Sequence, residues 1–63
     1  MPIVQVHMLE GRDIEKKRLL AKKLTDVIME VCGSPPDQIR VILTDMAFED
    51  YAVGGVLKAD IKK

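Results

Sequence analysis

The chain is poor in aromatic residues: one Phe, one Tyr and no Trp among 63 residues. It therefore lacks the stacking platforms on which nucleic-acid-binding proteins hold unpaired bases. An excess of either charge is missing too, because ten basic residues balance ten acidic ones. No global field draws such a chain to a phosphate backbone or an anionic membrane, so neither nucleic acid nor membrane is expected as a partner. There is one cysteine, Cys32, which excludes a disulfide within the chain. That cysteine and the single histidine, His7, fall in no spacing that resembles a metal site. No apolar run nears the roughly 20 residues of a membrane-spanning helix. The first apolar stretch alternates with polar residues, unlike a secretory signal. A lone thiol without such a signal fits a reducing cytoplasm.

What the chain does have is apolar surface in a small frame. Its length allows one domain, residues 1–63. A chain of this size buries only about 60% of the surface its unfolded form exposes. Small scaffolds are ordinarily held by disulfides, a metal or assembly. With 48% hydrophobic residues and only one cysteine, assembly is what remains. A homo-oligomer is expected.

Residues 3–9, "IVQVHML", alternate as a strand does: Val4, Val6 and Met8 on one face, Ile3, Gln5, His7 and Leu9 on the other. Gly11 ends it. Asp13 then reads as the N-cap of a helix, with Glu15 placed to complement the helix dipole. Leu20, Leu24, Val27, Ile28 and Val31 recur at helical spacing. Gly33 is a stop, and "SPP" bars continuation. "SPPDQ" reads as a turn, a single helical turn opening on a proline. "IRVILTDM" (residues 39–46) reads as a second strand, apolar on both faces, as in a strand covered on both sides. Gly54-Gly55 is a turn signal, and Val56 to Ile61 is expected to form a short hairpin arm or a final strand. The fold class is α/β, a right-handed βαβ unit with parallel strands and a short C-terminal appendage. A two-stranded sheet does not stand alone, and its open edges again ask for a partner.

Parallel strands begin at the same end of a sheet. Pro2 and Arg40 therefore belong at one end, and Arg12, which follows the first strand, at the other. Ten extended residues span roughly 33 Å, so Arg12 does not reach the Pro2 of its own chain. If both serve one site, subunits share that site.

Individual residues carry two readings each. Pro2 is either an inert chain end or, once Met1 is removed, a free secondary amine. An α-amino group ordinarily titrates near a pH of about 8. Apolar burial and nearby arginines push such an amine toward neutrality, where a general base works best. For any single arginine, a salt bridge to one of the ten carboxylates is the first expectation; binding a substrate carboxylate with the guanidinium fork is the functional one. His7 is read as structural or interfacial, and Cys32 as a buried thiol at the helix end. Tyr51 is a core aromatic or a pocket wall, and Lys62 and Lys63 are solvated. No Ser/His/Asp set, phosphate loop or spaced carboxylate pair is present.

Taken together, "MPIVQVHMLEGR", the amphipathic helix, "IRVILTDM" and "YAVGG" resemble the 4-oxalocrotonate tautomerase family over nearly the whole chain, length included. Proline after the initiator, "EGR" at residues 10–12 and "VGG" after the second strand make the resemblance specific. It implies a homohexamer built as a trimer of dimers. Each dimer forms a four-stranded sheet with the helices on one face. It implies a cytoplasmic isomerase of aromatic catabolism, working without metal or organic cofactor. Its substrate is a small dicarboxylate or 2-oxo acid, a 2-hydroxydienoate such as 2-hydroxymuconate, converted to the conjugated 2-oxo acid.

Carried over residue by residue, the resemblance makes Pro2, freed of Met1, the general acid and base. Arg40 binds the 2-hydroxy or 2-oxo group with its carboxylate, and Arg12 binds the distal carboxylate. Both arginines come from neighbouring subunits. Leu9 is an apolar wall. Tyr51 stands where family members carry a phenylalanine that keeps the pocket apolar, and Lys62 and Lys63 stand where some carry arginines. Two other readings share the scaffold. One is a dehalogenase or hydratase of unsaturated acids, which needs an acidic residue to activate water; Asp45, Glu49 and Asp50 lie in the right region without matching clearly. The other is a catalytically silent oligomer or interaction protein, the outcome if Met1 stays attached.

Overall fold

Strand β1 (Ile3–Leu9) ends in a loop over residues 10–13, and helix α1 (Ile14–Cys32) follows. The computed structural model describes residues 1–61. Local chemistry sets the ends of the helix. The Asp13 carboxylate accepts the Lys16 backbone N–H at 2.9 Å, satisfying one of the donors that a helix N-terminus leaves unpaired. At the other end Gly33 takes the left-handed conformation, φ 71°, and its N–H returns to the Met29 carbonyl. Pro36–Gln38 then makes one 3-10 turn, with proline in its first position as the sequence predicts.

Strand β2 (Arg40–Met46) starts one residue later than expected. The Ile39 N–H closes the turn onto the Pro36 carbonyl at 3.2 Å, so the ladder begins at Arg40. β1 and β2 pair in parallel from Ile3↔Arg40 to Leu9↔Met46. The register places Val4 beside Val41, Val6 beside Leu43 and Met8 beside Asp45. These residues form the face that α1 covers, and a Lys17–Asp45 ion pair at 2.6 Å ties helix to strand there. The helix presents Lys17, Leu20, Ala21, Leu24, Thr25 and Ile28 as its less exposed stripe, spaced as one helical face requires. Ile39, 8% exposed, is the one core residue among those described.

The opposite face of the sheet is bare. Ile3 and Ile42 are 54% and 43% exposed there. The expectation that β2 is covered on both faces is thus met on one side only, because a single helix supplies a single cover. Val27 and Val31 also depart from expectation. Val27 sits at the margin of the buried stripe. Val31 lies in the last turn of a 19-residue helix, which at about 28 Å outruns strands of about 23 Å; it is 76% exposed.

Past β2 the chain makes a 3-10 turn at Phe48–Asp50 and then an antiparallel hairpin of β3 (Ala52–Val53) and β4 (Val56–Leu57). Gly54 and Gly55 both have positive φ, 60° and 86°. That is the combination a two-residue hairpin turn matched to strand twist requires. A last 3-10 turn, Lys58–Asp60, packs back on the Phe48–Asp50 turn. Of the two sequence readings for this segment, the hairpin arm is the one formed.

The isolated chain is spread out. Its radius of gyration is 14.8 Å, against about 11 Å for a compact domain of this length. It exposes 4985 Å², where a folded monomer of its mass exposes about 4100 Å². This excess predicts that, in sedimentation velocity, the protein runs as one species several times its 7.1 kDa chain mass. A monomer at micromolar concentration contradicts the prediction.

Candidate active site

Pro2 and Arg40 meet at the start of the sheet. The Arg40 backbone N–H donates to the Pro2 carbonyl at 3.0 Å, one rung before the Ile3↔Arg40 pair. Pro2 is half-buried, and Met1 before it is 73% exposed. The Arg40 side chain is exposed, and its Nη1 donates to the Asp37 carbonyl at 2.8 Å. The 3-10 turn thus aims this arginine at the same end as Pro2.

Arg12 and Leu9 meet at the other end. Arg12 Nη1 donates to the Leu9 carbonyl at 2.9 Å, folding the arginine back over the end of β1. Leu9 is half-buried beside Met46. A strand of seven residues separates this end from Pro2, roughly 23 Å at the usual rise. Tyr51, 39% exposed, lies in the C-terminal arm beyond this end of β2, and its carbonyl accepts the Lys58 N–H at 2.7 Å. Within one chain, then, Pro2 pairs with Arg40 and Leu9 with Arg12, and the two groups stay apart. This agrees with the sequence argument from parallel strands.

The arginines differ from the first expectation in one respect. Three ion pairs form among the described residues: Lys17–Asp45, Arg18–Glu15 and Lys22–Asp26. Arg12 and Arg40 enter none of them. Each donates instead to a backbone carbonyl three residues upstream. A neutral carbonyl positions a guanidinium without cancelling its charge, so both cations keep their capacity for a carboxylate.

Other residues named from the sequence fall elsewhere. Asp45 is paired with Lys17 on the helix-covered face, six positions along the sheet from Pro2's end. Glu49 and Asp50 sit in the turn beyond β2. His7 is exposed mid-strand beside Thr44 on the bare face. Cys32, expected to be buried, is exposed; it ends the helix where the helix has outrun the strands. Lys62 and Lys63 lie outside the described residues. Among those described, no three His, Cys, Asp or Glu side chains converge as metal ligands. Sequence reasoning did not single out the two lysines near Arg12, Lys16 and Lys17. Met8, Arg12, Lys16, Lys17 and Leu20 line one small open cleft. The signal for it was two lysines in the first turn of a helix that starts directly after an arginine loop.

Comparison with known proteins decides the family. Residues 2–61 match the family described as "Tautomerase enzyme". The chain belongs to the tautomerase family. It is 44% identical over 61 residues to a probable tautomerase of Listeria innocua, covering 97% of this chain and 100% of that one. It is 36% identical to a 2-hydroxymuconate tautomerase of Pseudomonas putida, with both chains covered completely. The fold superposes on a crystal structure of a 4-oxalocrotonate tautomerase homologue with a TM-score of 0.92, at 40% identity and full coverage of both chains. A heterohexameric 4-oxalocrotonate tautomerase from Chloroflexus aurantiacus superposes with a TM-score of 0.90 at 29% identity, covering 98% of this chain and 100% of that one. The resemblance seen in the sequence is therefore the family to which this tautomerase belongs. Its chemistry is that of an isomerase, on a strand-helix-strand unit followed by a C-terminal hairpin.

Proposed function

We propose that this tautomerase converts 2-hydroxydienoates of the 2-hydroxymuconate type to conjugated 2-oxo acids, with Pro2 as the general acid and base. The observation that carries the reading is the paired geometry of the two strand ends. Pro2 is half-buried at one end of the sheet, and Arg40 and Arg12, at opposite ends, each keep a guanidinium without a carboxylate partner, free to serve a neighbouring chain's proline. The full-length match to the Pseudomonas 2-hydroxymuconate tautomerase supports the substrate class.

The base requires a free amine. While Met1 is attached, the Pro2 nitrogen is an amide and has no lone pair to offer. Met1 stands out from the fold, so its peptide bond is accessible to processing. Freed, the Pro2 amine takes the proton of the 2-hydroxyl group. The electron pair moves through the diene, the 2-oxo group forms, and the ammonium returns the proton at a distal carbon. The proton count balances within the substrate and one proline, and the reaction needs no cofactor.

Arg40 of one neighbouring subunit holds the 2-oxo group and its carboxylate; Arg12 of another holds the distal carboxylate. Between them the dienolate gains charge stabilisation that the substrate does not. Leu9 and Tyr51 wall the pocket. Assembly into a homohexamer, a trimer of dimers whose four-stranded sheets carry the helices on one face, completes each site. The chain 1–63 acts as one domain, in the cytoplasm, within the breakdown of aromatic compounds.

Intact mass spectrometry is expected to show the chain without Met1. An ultraviolet assay on 2-hydroxymuconate is expected to show a loss of at least about 100-fold in kcat for Pro2→Ala. Full activity in Pro2→Ala, or in protein retaining Met1, overturns the assignment of the base. The two arginines separate kinetically: Arg40→Ala lowers kcat by about 100-fold, whereas Arg12→Ala mainly raises KM, by about tenfold. Unchanged constants in both variants remove them from the site.

A further inference from the structure

The cleft beside Arg12 contains more positive charge than one carboxylate-binding arginine requires. Its lining is Met8, Arg12, Lys16, Lys17 and Leu20. Lys17 is neutralised, with its Nζ 2.6 Å from Asp45 Oδ2. Lys16 is not: among the described residues its side chain enters none of the three ion pairs. The nearby Asp13 carboxylate accepts the Lys16 backbone N–H, an interaction that belongs to the helix cap. The cleft therefore offers two cations without carboxylate partners, Arg12 and Lys16, in a lining that also includes Met8 and Leu20. Arg12 is anchored through Nη1 to the Leu9 carbonyl, so it presents a fixed fork. Lys16 adds a mobile point charge from the first helical turn.

We propose that Lys16 is a specificity-determining residue, the second cation for the distal carboxylate, and that it biases the enzyme toward dicarboxylate over monocarboxylate dienols. The inference rests on the reading of Arg12 as a carboxylate ligand. A distal carboxylate held by the Arg12 fork has a second cation within the same cleft in Lys16, so its two oxygens meet two positive charges. A monocarboxylate bound by Arg40 leaves this end empty and gains nothing from Lys16.

The test is the selectivity ratio, kcat/KM for 2-hydroxymuconate over kcat/KM for 2-hydroxy-2,4-pentadienoate, which lacks the distal carboxylate. In Lys16→Gln the ratio is expected to fall about three- to fivefold, the size of one partly exposed charge contact. The change is expected in KM for the dicarboxylate, with the monocarboxylate constants unmoved. Lys16→Arg restores the ratio. At about 1 M salt, where the screening length is about 3 Å, wild type and Lys16→Gln converge. A merely structural lysine affects both substrates alike, and that result overturns the proposal. Arg12→Ala, measured beside it, separates the two readings. Selectivity lost in Arg12→Ala but kept in Lys16→Gln overturns the role of Lys16 and leaves Arg12 standing. Selectivity kept in both overturns both.

Discussion

The parallel register of two strands is the constraint on which the rest depends. Pairing Ile3 with Arg40 and Leu9 with Met46 fixes which functional residues are neighbours and which are a strand apart. It sets Pro2 against Arg40 through a backbone hydrogen bond, and it sends Leu9 and Arg12 to the opposite edge. A slip of one residue turns each side chain to the other face of the sheet. Val4, Val6 and Met8 would then leave the helix, and the Lys17–Asp45 pair would break. The apolar packing and the ion pair thus hold the same register that positions the catalytic candidates.

The same economy leaves the chain unfinished. One helix covers one face of the sheet. The other face and the C-terminal hairpin expose Ile3, Ile42, Val53, Val56 and Leu57. Both strands have a free edge as well. Burial of apolar surface is the main favourable term in folding and in association alike, so the apolar surface left bare in this chain is what the predicted assembly would cover. The two ends of the sheet then gain a use. On the proposed function, a proline at one end and an arginine at the other compose a site only when subunits meet, so that one interface would both bury the bare face and complete the site.

Much of this was legible in the sequence because it depends on local chemistry. Asp13 as a cap, Gly33 as a stop, Pro36 opening a turn and Gly54-Gly55 turning a hairpin each act over a few residues and form as read. The separation of Pro2 from Arg12 followed from strand direction alone. What failed to read were outcomes of length and three-dimensional matching. Val31 and Cys32 are exposed because the helix is longer than the strands it covers, and periodicity does not reveal where a partner surface stops. Arg12 and Arg40 find backbone carbonyls instead of carboxylates because a loop and a 3-10 turn bring those carbonyls within reach. The roles of the site residues came from family resemblance. Their placement at two strand ends came from the residues themselves.

Subunit mixing tests the shared site most directly. Pro2→Ala and Arg12→Ala chains, each impaired alone, are unfolded together in equal amounts and reassembled. A site built from one subunit's proline and another's arginine regains both wild-type groups in roughly a quarter of the sites of a random oligomer. The account predicts that fraction of wild-type kcat/KM in the mixture. Activity no greater than the average of the two separate variants means that each site draws both residues from one chain, and that result contradicts the account.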